Sequence, residues 1–289
     1  MATEPPSVLR LALAAMGTRF ELVLPGEPTL SDSALRAAGE AALAEIEEAD
    51  RRLSLFRSDS LLSLINRNAF AHPVGLDGET YDLLETALEV HALSNGAFDI
   101  TVAPLMGDRG LHGADSSAAP GPRAAGSQAV VLNRTASNVR FTDPACALDL
   151  GAIAKGHALD LAARTLREAR VERALLHGGT STVLALKPPA GEDAWLISLA
   201  QARDSKPVRL SDEALSVSSG QGRRAPDGSG HVLDPRTGMA IATDGFSAVR
   251  AATATLADAW STALLVEPTL EPGSVPAHPL RATQLVTNA

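Results

Sequence analysis

The sequence predicts an α+β fold built from mixed, largely antiparallel sheets with packed helices. Runs that alternate apolar and polar residues come in neighbouring pairs with short turns between them, which suits antiparallel ladders. Helical-period segments are inserted between these pairs instead of alternating with single strands, which disfavours a doubly wound parallel sheet. No internal repeat is present, and 289 residues with 45% hydrophobic content can bury one large core or two modest ones.

The elements follow in order. Residues 17–24 alternate as a first strand, and the apolar run 9–16 leads into it. Ser31 or Ser33 can cap a helix whose apolar face is Leu35, Ala38, Ala42, Leu43, Ile46, Ala49 and Leu53. A second helix is expected over about 80–94, with Leu84, Ala87, Leu88 and His91 periodic and Gly96 as its stop, so His91 reads as a core or boundary histidine. Residues 107–128 are rich in Gly, Ala, Ser and Pro and are expected to form a flexible surface loop. Residues 130–132 and 139–141 read as a hairpin feeding a strand that carries Asp149, with Cys146 as a core residue on the way. Further strands are expected at 173–177, 181–186, 195–200 and 214–218, with Gly178-Gly179 as a tight turn.

Three segments carry chemistry. In residues 149–160, Asp149, Gly151, Lys155 and Gly156 are compressed ahead of a helix marked by Leu159, Ala162, Ala163 and Leu166. A strand-turn-helix of this kind aims backbone N–H groups and the positive helix end at an anionic ligand. Lys occurs only at 155, 187 and 206, so a Lys within this turn points the same way, although an ordinary loop before a core helix has the same outline. Residues 254–266 read as an amphipathic helix on which Asp258 and Thr262 stand one turn apart, with Ser261 adjacent. Such oxygens suit Mg²⁺ or Ca²⁺; alternatively Asp258 is a solvated carboxylate and Thr262 bonds back to its own helix. As a site carboxylate, Asp258 is expected to be exposed and to contribute little to the core. The third segment, 231–238, places His231 ahead of Asp-Pro-Arg-Thr-Gly, a turn by its own chemistry, and behind the glycines at 220, 222, 228 and 230. His231 can carry a proton near neutral pH or serve a structural role.

Charge and cysteine content exclude some classes. A net charge of −9 with no basic stripe argues against a nucleic-acid partner, which requires surfaces that neutralise phosphates. One cysteine forms no internal disulfide and no Cys-rich zinc site. No apolar run is long enough for a membrane span.

In this order along the chain, these segments resemble the FAD:protein FMN transferases, the ApbE-type family. The resemblance begins at Met16-Gly17-Thr18 and passes through 53–60, Ile65-Asn66, 94–101, 149–160, Gly178-Gly179 and 231–238 to 257–262. It implies one domain over residues 1–289, with the active site in a cleft between two lobes. FAD is then the substrate and Mg²⁺ the cofactor, and the FMN moiety passes to a Ser/Thr hydroxyl of an acceptor protein as AMP leaves. The implied acceptor carries a Ser/Thr flavinylation motif, as on an FMN-binding domain of a redox complex. Carried over residue by residue, the resemblance assigns the metal to Asp258, Thr262 and the Ala152 carbonyl, with Ser261 as a further candidate. It assigns Lys155 to the phosphate and His231 as general base or nucleophile-orienting group. Met16, Phe56, Ala97, Phe98, Asp99, Asp149, Lys155 and Val232 should line the FAD pocket. Departures are Phe56 where the family commonly has Tyr, Thr180 where it often has Asp, and Gln221-Gly222 in place of an Asp-Tyr-like pair. Two alternatives use the same site: a metal-dependent FAD pyrophosphatase giving FMN and AMP, and a non-catalytic FAD-binding protein. Family members are often exported lipoproteins, but the run 9–16 has no basic cluster before it and no cleavage-site Cys after it. A cytoplasmic location is the expectation unless a leader has been removed.

Overall fold

The computed structural model describes residues 8–112, 116, 118, 119, 121, 124, 126–200, 206–222, 224–242 and 245–270. Strands β1 (Val8–Ala15) and β2 (Thr18–Pro25) form a hairpin in which Ala15 faces Thr18, leaving Met16 and Gly17 as its whole loop. Both loop residues have positive φ, 49° and 68°, as a two-residue turn matched to strand twist requires. The run expected to be a lead-in is therefore itself a strand. Its alternation was hidden because Ala12 and Ala14 take the exposed positions between the half-buried Leu9, Leu11 and Leu13.

Helix α1 (Asp32–Leu53) is capped by Ser31, whose hydroxyl accepts the Ala34 N–H, and buries the expected face apart from the half-buried Leu43. Helix α2 (Leu61–Asn68) was not expected, though Ser60 ahead of Leu-Leu-Ser-Leu-Ile is a cap followed by helical-period residues. After β3 (Val74–Gly75), helix α3 (Gly78–Leu93) starts two residues earlier than expected because Asp77 accepts the Thr80 N–H. It stops at Asn95 and Gly96, both at positive φ, where the Gly96 N–H closes on the His91 carbonyl. The short α4 (Ala103–Asp108) follows, and β4 (Val130–Asn133) and β5 (Asn138–Phe141) form the expected hairpin, with β3 added beyond β5.

Segment 107–128 falls partly outside the described residues. Within it Leu111, His112, Ala118 and Ser127 are buried, so its described part is not simply a surface loop. Composition favoured a loop there, but a few apolar and polar side chains suffice to anchor it.

The remaining elements are α5 (Ala154–Glu168), β6 (Leu175–Gly178), β7 (Thr182–Ala185), β8 (Trp195–Ile197), β9 (Val208–Leu210), β10 (Glu213–Ser219), β11 (Leu233–Asp234), β12 (Met239–Ala240), β13 (Phe246–Ala251) and α6 (Ala254–Val266). The main sheet runs β1-β2-β6-β7-β10-β13, and each of its ladders is antiparallel. Period-two alternation divides its side chains between two layers. Phe20, Leu22, Leu24, Leu176, Leu184, Ala214 and Val249 join α1, α5 and α6 in the large core. Val23, Leu175, Val183, Leu215, Val217 and Ala248 face the opposite side, where Trp195, Ile197 and Val208 of the β8–β9 hairpin cover them.

Cys146 is buried, and its thiol is pushed up to about 12 by that burial, so it is inert. It does not lie on a strand, and neither does Asp149. The extended segment around them forms no β ladder because its backbone groups bond elsewhere: the Leu148 N–H and C=O pair with the Asn66 side chain at 2.7 and 3.0 Å, and the Asp149 N–H donates to the Ile100 carbonyl at 2.8 Å.

His157 on α5 is buried, and burial lowers its pKa from 6.5 to about 4. The unfolded chain therefore takes up a proton that the folded chain resists. Stability should be whole above pH 6.5 and fall by up to about 3 kcal/mol as pH drops toward 4. Denaturant midpoints of His157→Gln should lack that part of the decline; an unchanged slope between pH 6.5 and 4 would assign the acid sensitivity to other groups.

Candidate active site

Strand register brings several loops to one end of the main sheet. Phe20 faces Gly178, Gly178 faces Thr182, Thr182 faces Ser216, and Ser218 faces Ser247. The Met16-Gly17 turn, the Gly179-Thr180-Ser181 turn and the end of β10 consequently share one edge. Gly179 has φ 69°, and an added Cβ would stand 2.4 Å from Thr18 Oγ1, so only glycine fits between these turns. Met16 holds a left-handed conformation that costs a non-glycine residue energy, and it does so on the wall of a cavity.

That cavity, of about 820 Å³, is lined by the turns at the end of the sheet, the start of α5 and Asp258 and Thr262 of α6, and by Phe56, residues 97–100 and residues 231–233. Met16, Phe56, Ala97, Phe98, Asp99, Asp149, Ala152, Lys155, His231, Val232, Asp258 and Thr262 all border it. Ser261 does not. It is fully buried, its hydroxyl donates to the Asp258 carbonyl at 2.9 Å, and it lies 2.8 Å from Ser218 Oγ.

Asp258 is 3% exposed, which corrects the expectation of a solvated carboxylate. Its Oδ1 accepts from Thr182 Oγ1 at 3.1 Å and Ser216 Oγ at 3.0 Å. Its Oδ2 accepts the Gly156 N–H at 3.1 Å and lies 3.7 Å from Lys155 Nζ. The polar seam arises because Thr182, Ser216 and Ser218 occupy strand positions facing α6, among otherwise apolar neighbours. Thr262 Oγ1 stands 3.2 Å from Ser218 Oγ and 3.4 Å from the Asp258 carbonyl oxygen. Lys155 Nζ also donates to the Gly151 carbonyl at 3.2 Å, which holds the cation over the turn before α5.

Asp149 accepts the Gly151 N–H at 2.7 Å on one oxygen and pairs at 2.8 Å with His112 Nε2 on the other. Its pKa is lowered: burial alone would raise it, but the His112 hydrogen bond and charge, the Gly151 N–H and Lys155 together outweigh burial. His112 was not singled out from the sequence, since a lone His in a Gly/Ala/Ser segment carries no spacing signal. It is buried against Phe56, ring edge to ring face at 5.9 Å, while Phe56 remains half-exposed at the cavity. Asp99 borders the cavity, and its Oδ1 accepts from Thr101 N–H, Thr101 Oγ1 and Ser127 Oγ at 2.7, 2.7 and 3.0 Å while its Oδ2 lies 3.4 Å from His91 Nδ1.

His231 precedes the β11–β12 hairpin. The expected turn is formed: Asp234 Oδ1 accepts the Arg236 N–H, the Gly238 N–H closes on the Asp234 carbonyl, and Gly238 has φ 69°. Arg236 ties this turn to Glu267 beyond α6. A Cβ on Gly222 would stand 3.4 Å from the His231 ring, so the glycine-rich loop packs close to that ring.

Among the described residues, no cluster of three or more His, Cys, Asp or Glu could hold a metal. Asp258 and Thr262 bring a carboxylate and a hydroxyl to the cavity wall and Ala152 borders it as well, so α6 and the turn before α5 together offer a set of oxygen donors there. Such a set suits a hard divalent cation that completes its shell with water and substrate phosphate.

The ApbE family model matches residues 16–273. This chain belongs to the ApbE family. Similar proteins include an FAD:protein FMN transferase of Klebsiella pneumoniae strain 342, 29% identical over 85% of this chain and 81% of that protein. One from Escherichia coli K12 is 27% identical over 91% of this chain and 80% of that protein. Among solved structures, the ApbE protein of Thermotoga maritima superposes with a TM-score of 0.78 at 27% identity, covering 90% of this chain and 87% of its own. The apo flavinyl transferase ApbE of Pseudomonas stutzeri gives 0.75 at 25% identity, with 92% and 86% covered. Phe56, Thr180 and Gln221, named above as departures, border the cavity.

Asp258→Ala should lower unfolding free energy by about 2–5 kcal/mol, because the Gly156 N–H and two buried hydroxyls lose their acceptor. Thr262→Ala, at a half-buried position, should cost less than about 1 kcal/mol. Urea titrations distinguish these outcomes, and equal losses would show that the seam does not depend on the carboxylate.

Proposed function

We infer that this ApbE-family chain is a Mg²⁺-dependent FAD:protein FMN transferase. It moves the FMN moiety of FAD to a Ser or Thr hydroxyl of an acceptor protein and releases AMP. One observation supports this above others: Asp258, Lys155 and His231, from three distant segments, border one cavity that also presents the ring of Phe56. A carboxylate and a lysine suit a metal-bound diphosphate, a histidine suits a hydroxyl nucleophile, and an exposed aromatic ring suits a flavin.

Asp258, Thr262 and the Ala152 carbonyl are the groups that would hold Mg²⁺, which supplies Lewis-acid charge neutralisation on the diphosphate when bound. Lys155, held by the Gly151 carbonyl and by Asp258, places a point charge beside that position. Phe56 offers a ring face to the isoalloxazine, and Met16 and Val232 add apolar wall. His231 takes the proton of the attacking hydroxyl or orients it. Asp149 suits that task less well, since its lowered pKa makes it a weak base and both its oxygens already accept hydrogen bonds.

Product analysis tests the reading. FAD, Mg²⁺ and an acceptor domain bearing a Ser/Thr motif should yield fluorescent protein on a denaturing gel together with AMP, and chelation should abolish it. Free FMN and AMP without labelled protein would make the chain a pyrophosphatase; neither product would make it a flavin-binding protein.

His231→Ala should retain FAD affinity and lose transfer by about 10²-fold or more. Wild-type transfer should rise with pH through an ionisation near neutrality, and the residual activity of the variant should lack that limb. Loss of FAD affinity in proportion to rate, or persistence of the limb, would make His231 a pocket wall instead.

A further inference from the structure

Helices α5 and α6 cap one another. Asp160, on α5, accepts the Ala254 N–H at 2.9 Å on Oδ1, and the Thr255 N–H and hydroxyl at 2.8 and 2.5 Å on Oδ2. These are first-turn donors of α6, which have no partner within their own helix. Asp258, on α6, returns the contact by accepting the N–H of Gly156 in the first turn of α5. Each carboxylate lies four residues beyond a first-turn residue of its own helix, Gly156 before Asp160 and Ala254 before Asp258, so the clasp is nearly reciprocal. The helices meet with no space to spare, since a Cβ on Gly156 would lie 2.1 Å from the Ala254 carbonyl oxygen.

Asp160 does not border the cavity. Its partners begin the helix whose next turn supplies Asp258 and the turn after that Thr262. Two bonds to successive N–H groups fix both the rotation of α6 about its axis and its position along it. A hydroxyl cap from Thr253, which accepts the Leu256 N–H at 3.3 Å, also closes this helix end but comes from the chain entering α6 and ties it to nothing on α5.

We propose that Asp160 is a positioning residue for the metal: by holding the start of α6 against α5, it sets where the Asp258 carboxylate and Thr262 hydroxyl stand relative to Ala152 and Lys155. The proposal rests on the Mg²⁺ reading of the site. Because a ligand that binds only the folded chain stabilises it, Mg²⁺ at concentration c should raise the thermal midpoint of the FAD-loaded protein in proportion to ln(1 + c/Kd), and the Kd fitted to that rise, the half-point of binding, measures the site without turnover.

In the full-length protein with FAD, Asp160→Asn should raise that half-point about tenfold or more, since an amide offers one acceptor oxygen where two are used. Thr253→Ala should lower the midpoint without Mg²⁺ but leave the half-point within about twofold, because it weakens the same helix end without loosening it from α5. Thr255→Val keeps the carboxylate and removes one donor, so it should give a rise of about threefold; if Asp160→Asn does not fold, this variant decides the matter. A wild-type half-point in the folded Asp160 or Thr255 variant, or an equal rise in Thr253→Ala, would overturn the proposal while leaving the metal site in place. A wild-type protein with no Mg²⁺-dependent rise would overturn the metal reading and this proposal together.

Discussion

The exchange of carboxylates between α5 and α6 is the constraint on which the site depends. A helix N-terminus buried against another helix leaves its first N–H groups without partners, and leaving such a group unsatisfied costs about 1–3 kcal/mol. Asp160 and Asp258 satisfy that requirement for each other's helix. Gly156 makes the approach close enough, because any side chain there would enter the backbone of residue 254. The same contact carries Lys155 to within 3.7 Å of Asp258, so the local solution to helix capping also brings a cation and an anion together at the cavity.

The sheet beneath acts as a frame. Its antiparallel register aligns tight turns at one edge, and its period-two alternation sends Thr182, Ser216 and Ser218 toward α6 while apolar neighbours on the same strands build the second core. Asp258 is therefore buried yet hydrogen-bonded on both oxygens, which is the condition under which a carboxylate can be kept in an interior. Met16 holds positive φ on the cavity wall and Gly179 holds it next to the lining residue Thr180, and the hairpin and the large core behind them sustain that geometry.

Other segments near the cavity are held by side-chain clamps. Asn66 grips both backbone groups of Leu148, His112 grips Asp149, and Arg236 fastens the turn after His231 to Glu267. A loop that bonds to side chains instead of a neighbouring strand keeps its carboxylate at a set position without continuing the sheet. Among the described residues no helix is long and apolar enough to cross a membrane.

Local chemistry alone determined much of this protein. The bounds of α6, a serine cap at 31 or 33, the stop at Gly96, the β4–β5 hairpin, a tight turn beginning at Gly179 and the turn at 234–238 follow from short-range rules of periodicity, capping and positive φ. The resemblance to the ApbE family named residues that all border the cavity, Ser261 excepted. Tertiary structure decided what those rules do not reach. Whether Asp258 is solvated or buried depends on strands some 40 and 75 residues earlier in the chain, as its bonds to Ser216 and Thr182 show. His112 gains meaning only where it meets Asp149, and the extended segment at 144–150 is not a strand because Asn66 and Ile100 take its backbone bonds. Asp160 belonged to the sequence motif, but nothing in its spacing tells that its partners are the first N–H groups of α6. Contacts between residues distant in sequence are set by packing and burial, and local periodicity carries no record of them.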